Sequence, residues 1–284
     1  MKIAFFGTPE IATIVLNELN QADITLSLII TNPDAPVGRK QILTPSPVKV
    51  WAGNHQVPVI QPHSLKDPAN TPELALTDWD LFIVVAYGKI IPPWLLAKPK
   101  HGTLNVHPSL LPKLRGASPI RSAILNNIKD TGVTIMLMDN ELDHGPIIYQ
   151  EKTSIDEGDW PIDGNMLDII MAKQGGIMLT KILPPFLAGK ITPTPQDHNN
   201  ATFCTKISKD MGELNIDPYH LPTGQVAYQN LLKIRAFAGW PETFFIHDGK
   251  RYKIKEAKII ADQLQITRVV PEGKTETNFS LCFR

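Results

Sequence analysis

The chain has 284 residues, with 28 Lys and Arg against 28 Asp and Glu, so its formal net charge at neutral pH is zero. That balance excludes a global electrostatic pull toward nucleic acid or membrane and leaves only a local basic patch for such a partner. With 43% hydrophobic residues and two cysteines, Cys204 and Cys282, that have neither disulfide nor metal-ligand spacing, a sizeable core, a smaller second domain and a reducing, cytoplasmic setting are expected.

The first residues pass straight into a strand over 2–6, with no apolar leader and no run long enough to span a bilayer. The turn Gly7-Thr8-Pro9-Glu10 opens a helix over 11–19, with Thr8 as its expected cap, and a strand over 24–30 completes a β-α-β start. The second and third glycines of a dinucleotide fingerprint are absent, which disfavours an NAD-linked enzyme. Residues 31–47 form a long connection stiffened by four prolines. Arg39 and Lys40 in its middle could reach an anion, although two solvated charges explain them as well. Ser46-Pro47 opens a helix over 48–55, a cap followed by proline at the first helical position. A strand over 57–60, a proline-interrupted helix over 65–77 and the clearest buried strand, over 80–86, come next. That strand ends in Tyr87-Gly88-Lys89-Ile90, where glycine either serves an ordinary turn or lets a ligand approach the backbone.

Residues 102–149 carry the chemistry. A strand over 103–106 sets Asn105 and His107 on one face at its C-terminal end. The loop 109–116 follows with Lys113 and Arg115, then a helix start at Ser118-Pro119, a strand over 132–138 and an acidic turn over 139–145. An amide, an imidazole and a carboxylate are thus expected just beyond strand ends, the edge where open α/β sheets bind ligands. Asn105 can donate to an oxygen that becomes negative, His107 can donate to it or move a proton, and Asp143 can orient the imidazole or accept a proton. None of the three need be the nucleophile, which suits a transfer to an amine brought by the substrate. A structural histidine and a turn aspartate account for the spacing equally well.

Beyond an acidic stretch over 153–163, a helix over 165–183 would pack Met166, Ile169, Ile170, Ile177 and Leu179 on the sheet, with Gly175-Gly176 weakening its middle. The polar, proline-bearing run that follows marks a boundary, giving a first domain over 1–187, a linker over 188–203 and a second domain over 204–284. There an amphipathic helix over 224–237 precedes a break at Trp240-Pro241 and a hairpin over 244–254 around Asp248-Gly249. Arg251, Lys253 and Lys255 alternate along its second strand, and residues 202–284 hold twelve Lys and Arg against nine Asp and Glu. A solvated edge strand or a phosphate-binding surface fits that row.

Asn105-Val106-His107-Pro108-Ser109-Leu110-Leu111-Pro112, with Arg115-Gly116 and Leu142-Asp143-His144-Gly145, resembles the signature of the folate-dependent formyltransferases. Thr31-Asn32-Pro33-Asp34-Ala35-Pro36-Val37-Gly38-Arg39 and Pro45-Ser46-Pro47-Val48-Lys49 resemble the branch that acts on initiator methionyl-tRNA, although Gln41 and Ile42 stand where that branch often continues with lysines. The resemblance implies a catalytic trio of Asn105, His107 and Asp143. It also implies a 10-formyltetrahydrofolate site made by Tyr87, Gly88, Lys89, Ile90, Ser109, Leu110, Leu111, Pro112 and Asp139. Arg39 and Lys40, together with Lys206, Lys209, Arg251, Lys253 and Lys255, would contact tRNA. The implied fold is an α/β, Rossmann-like parallel sheet domain followed by a smaller OB-like β-barrel. That barrel is expected to be short, because the strand over 258–260 runs almost directly into Val270-Pro271-Glu272-Gly273-Lys274. A monomer without metal is expected, transferring a formyl group to the α-amino group of methionine on initiator tRNA.

Three other readings are open. A sugar N-formyltransferase acting on a nucleotide-linked amino sugar would share the trio but not the 31–49 loop. A hydrolase using Ser109 beside His107 lacks the strand-turn-helix setting of a nucleophile elbow. A non-catalytic folate- or RNA-binding protein would have no need of all three side chains.

Overall fold

The computed structural model describes residues 1–38 and 40–283, so the expected tRNA contact Arg39 lies outside the described residues. The elements run β1 (Ile3–Gly7), α1 (Glu10–Gln21), β2 (Leu28–Ile30), β3 (Ala35–Val37), β4 (Ile42–Thr44), α2 (Pro47–Asn54), β5 (Val59–Ile60), α3 (Pro72–Leu76), β6 (Leu81–Val85), α4 (Pro93–Leu96) and β7 (Thr103–His107). They continue with β8 (Arg115–Gly116), α5 (Pro119–Leu125), β9 (Gly132–Leu137), β10 (Ile147–Lys152), α6 (Gly164–Leu187), β11 (Phe203–Cys204), α7 (Gly224–Ala236), β12 (Thr243–His247), β13 (Lys250–Ile260), β14 (Gln263–Pro271) and β15 (Thr277–Asn278). Among the described residues no helix is long and apolar enough to cross a membrane.

The chain divides into two compact units. Residues 1–115, 132–153 and 169–202 make the first, and residues 116–131, 154–168 and 203–284 the second.

The first unit is built on a seven-stranded sheet in the order β10-β9-β7-β6-β1-β2-β5. The five strands from β7 to β5 are mutually parallel, and β9 runs antiparallel to β7. Every residue of β1 and β6 is buried, as central strands covered on both faces require. Their apolar runs therefore mark them in the sequence. Ser46 caps α2 as expected, its Oγ accepting from the Lys49 amide at 3.1 Å. Thr8 does not cap α1, because its hydroxyl donates to the Tyr87 carbonyl at 3.3 Å. The helix expected over 65–77 is cut by its prolines into a single 3-10 turn, Pro68–Asn70, and the short α3.

Gly175 and Gly176 have a packing reason that the sequence does not disclose. A Cβ on Gly175 would lie 2.5 Å from Val106 Cγ1, on the strand that carries Asn105 and His107. A Cβ on Gly176 would lie 2.7 Å from the Glu18 side chain of α1. The helix thus approaches both β7 and α1 more closely than any other residue type allows.

In the second unit β12-β13-β14-β15 form an antiparallel sheet in that order. Ala227, Leu231 and Ile234 of α7 share one core with Phe245, Ile254, Leu264, Ile266 and Val269. The expected near-direct run from residue 260 to 270 is corrected: β14 fills that interval and pairs along β13 from Gln263 to Pro271. Its alternation is hidden because the register shifts around Glu256, so the buried positions pass from Leu264 and Ile266 to Val269.

Alanine at Gly175 would gain roughly 1 kcal/mol of helix propensity. Forcing its methyl against a stiff β-branched neighbour costs about 1–3 kcal/mol. Gly175→Ala should therefore lower the urea midpoint, and a raised midpoint would mean that α6 can shift away from β7.

Candidate active site

The register decides how the three expected side chains meet. Asn105 lies within β7 opposite Met136, and His107 is its last residue, opposite Thr134. Both therefore sit on the strand, where residues just beyond its end are expected. β9 leaves the sheet beside the start of β7, with Leu137 opposite Leu104, so the turn that follows has to fold back along the sheet face. It does so: Asp143 Oδ1 lies 3.4 Å from Asn105 Nδ2 and 3.7 Å from His107 Nδ1. The structure thus brings the trio together.

His107 is 4% exposed, and its Nε2 stands 3.0 Å from the Leu114 carbonyl oxygen. A carbonyl can only accept, so the hydrogen-bond network assigns the neutral ring's proton to Nε2. Nδ1, the side that faces Asp143, is then the basic nitrogen. Burial holds the imidazole below its ordinary pKa; the Asp143 carboxylate and the Leu114 carbonyl pull it up, and the Arg115 charge pushes it further down.

The two loops that deliver Leu114 and Asp143 are pinned by residues from the segment expected to be a linker. Leu114 and Asp143 both have left-handed backbone, with φ of 59° and 48°, a conformation costly for non-glycine residues. The Leu114 amide donates to Thr202 Oγ1 at 2.9 Å, and the Arg115 amide to the Thr202 carbonyl at 2.9 Å. Gln196, 5% exposed, donates through Nε2 to the carbonyls of Asp143 at 2.9 Å and Gly145 at 2.7 Å. Its Oε1 accepts from Arg115 Nε at 3.1 Å and Nη2 at 2.7 Å. Thr194 exchanges two 2.8 Å bonds with Ile147 and anchors the segment to β10. Gly145 is required where it stands, since a Cβ would lie 2.0 Å from the Leu137 carbonyl oxygen.

The expected donor-site residues divide. Ser109 is 1% exposed, and its hydroxyl donates to the Lys113 carbonyl at 2.6 Å. Thr134 holds the same loop, donating to the Ser109 carbonyl at 2.6 Å and accepting from the Leu111 amide at 3.2 Å. A nucleophilic Ser109 is thus disfavoured by its own hydrogen bonds. Asp139 organises the turn, accepting from the Glu141 amide at 3.0 Å and pairing with His144 Nδ1 at 2.7 Å. His144 stacks on His198, with ring centroids 4.0 Å apart and planes within 5°. Lys89 donates to the carbonyls of Pro62 at 2.9 Å and His63 at 3.2 Å.

A flat, polar-edged ligand finds matching features beside β6. Gly88 has φ of 79°, and a Cβ there would meet only Asn32 Nδ2, at 3.8 Å. Asn32 Nδ2 donates to the Tyr87 carbonyl at 3.0 Å, and its buried Oδ1 has no partner among the described residues. That leaves an acceptor beside an open backbone turn. Ile90 and Leu142, on the loops after β6 and β9, are 91% and 62% exposed and offer apolar surface.

The remaining basic residues fall in both units. In the first, Lys40 is exposed on the β3–β4 hairpin, beside the exposed Ile42 and Leu43. In the second, Lys206 and Lys209 are exposed, and Arg251 lies 5.4 Å from the centre of the Phe244 ring. Lys253 and Lys255 both pair with Glu242, so part of the expected row is neutralised within the unit. Burial pushes the Glu242 carboxyl up, and the two lysines more than offset this, holding it below its ordinary range.

The formyl transferase family model matches residues 1–163. A methionyl-tRNA formyltransferase from Halalkalibacterium halodurans is 40% identical over 254 residues, covering 89% of this chain and 77% of that protein. Among solved structures, a methionyl-tRNA formyltransferase from Clostridium thermocellum superposes with a TM-score of 0.62 at 16% identity, covering 95% of this chain and 98% of that one. An N-formyltransferase from Helicobacter canadensis, in complex with folinic acid and dTDP-3-aminofucose, superposes with a TM-score of 0.62 at 19% identity, covering 94% and 95%. These two likenesses concern the fold.

The depressed imidazole has a consequence for stability. As pH falls below about 6.5, His107 in the unfolded chain takes up its proton before the buried ring does, so native stability is lost from there down to the lower folded value. In His107→Asn that part of the loss should vanish, and the urea midpoint should fall less between pH 7 and 5 than in the wild type. Equal declines would mean that His107 charges as readily folded as unfolded.

Proposed function

The chain belongs to the formyl transferase family, and on that premise we propose that it carries the formyl group of 10-formyltetrahydrofolate to the α-amino group of methionine esterified to initiator tRNA, in the cytoplasm. The observation that carries this reading is the 40% identity to a methionyl-tRNA formyltransferase over nearly the whole chain. The sugar-acting reading rests on relatives of about half that identity.

Bound, the donor supplies an electrophilic formyl carbon on N10. The open backbone at Tyr87, Gly88, Lys89 and Ile90, the loop of Ser109, Leu110, Leu111 and Pro112, and the turn of Asp139 would hold it. Asn105, on the strand beside Asp143, donates its amide N–H to the formyl oxygen as the amine attacks and charge grows there. Asp143 takes the proton that the amine loses. His107 stands ready to share it, because its basic Nδ1 faces that carboxylate. Once charged, the imidazole adds a cation beside the developing oxyanion, and the proton then goes to the departing nitrogen. The acceptor brings the nucleophile, so the protein has only to align two substrates and manage one proton.

Lys40, Lys206, Lys209 and Arg251 remain the exposed basic groups for a tRNA backbone. Lys253 and Lys255 would contribute less, since Glu242 already holds both.

Asp143→Asn and His107→Ala are expected to lower kcat for formyl transfer to charged initiator tRNA by about 100-fold or more. A folate analogue should still bind both variants, as read by calorimetry. Turnover equal to the wild type in either would remove that residue from the chemistry.

A further inference from the structure

The segment 188–203 has the composition of a linker, yet it reaches both loops of the active site. Gln196 is buried in an unusual way. Its two amide protons go to two backbone carbonyls of one turn, Asp143 and Gly145, and its oxygen takes two bonds from Arg115. Arg115 is itself 4% exposed, and its Nη2 also contacts His198 Nδ1 at 2.9 Å. A buried guanidinium costs much desolvation unless its donors are satisfied in a fixed geometry. The Gln196 oxygen meets that need, and so the direction of the amide is fixed: its oxygen must face Arg115 and its NH2 must face the turn.

The turn requires this help. Asp143 holds left-handed backbone; Asp139, Glu141 and His144 are bonded within the turn, and the Met138 and Leu137 amides hold its two ends through the Thr103 and Pro146 carbonyls. Between those ends, the turn's Asp143 and Gly145 carbonyls bond to Gln196. Gln196 joins it to Arg115 in the neighbouring loop, and the Arg115 and Leu114 amides are in turn held by Thr202.

We propose that Gln196 is a positioning residue for formyl transfer: clamped by Arg115, it holds the turn so that the Asp143 carboxylate stands beside Asn105 and His107. This rests on the assignment of Asp143 and His107 under Proposed function. Gln196 itself touches no substrate. It acts through Asp143, whose carboxylate, with the Arg115 guanidinium and the Leu114 carbonyl, makes up the polar surroundings of the His107 ring.

Two substitutions separate the clamp from the fold. Gln196→Glu keeps the size and the acceptor that Arg115 needs but loses both donors to the turn. Gln196→Ala loses everything. A displacement of about 1 Å at a reacting group can cost on the order of 100-fold in rate. In both variants kcat for formyl transfer should therefore fall by about tenfold to 100-fold, with KM for the donor within about twofold of wild type. Gln196→Glu should lose less melting temperature than Gln196→Ala, because Arg115 keeps its acceptor. In the ligand-free protein, the His107 imidazole followed by NMR should titrate at lower pH in Gln196→Ala, because the carboxylate that supports its charge has moved away. An unchanged titration in Gln196→Ala together with unchanged kcat in Gln196→Glu overturns the proposal. If the wild type itself transfers no formyl group to any amine, the functional reading fails. The His107 titration still decides whether Gln196 positions Asp143.

Discussion

The site depends first on one hydrogen bond, from His107 Nε2 to the Leu114 carbonyl. It fixes a buried imidazole in a single tautomer and turns its basic nitrogen toward Asp143. A backbone carbonyl can do this only if its peptide is fixed, and Leu114 sits in left-handed backbone within a loop. Thr202 supplies the fixation from 88 residues away in sequence. The requirement for a firm Leu114 carbonyl therefore extends to the segment after α6, and the same segment reaches the Asp143 turn through Gln196. Strand, loop, turn and strap form one hydrogen-bonded assembly, with His107 and Asp143 at its centre.

Electrostatics around that assembly work in opposing directions. Burial and the Arg115 charge favour the neutral ring, while Asp143 and the Leu114 carbonyl favour the cation. Burial is the largest of these effects, so the neutral ring is favoured overall. Arg115 thus has two effects at once. It holds Gln196 by hydrogen bonds and disfavours charge on His107 through space.

Much of this was legible in the sequence, and the boundary has a physical cause. β1 and β6 announce themselves because central parallel strands are apolar on both faces, and Ser46 announces a cap because its partner is three residues away. Asn105, His107 and Asp143 were legible because their neighbours form a recognisable string. Gln196 and Thr202 were not, because their partners lie 51 to 88 residues off and no local period marks them. The same holds for Gly175, whose reason is Val106 on another element, and for Thr8, whose hydroxyl answers to Tyr87. β14 escaped for a different reason, a register shift that breaks its alternation. Local rules fail where a residue's partner is distant.

The measurement that tests the account most directly is formyl transfer from 10-formyltetrahydrofolate to two acceptors assayed in parallel: charged initiator methionyl-tRNA and a panel of nucleotide-linked amino sugars. Transfer to the methionyl amine and none to the sugars is the expected result. Transfer to a sugar alone would contradict the assigned acceptor while leaving the trio in place, and transfer to neither would contradict the assignment of Asn105, His107 and Asp143 as chemistry.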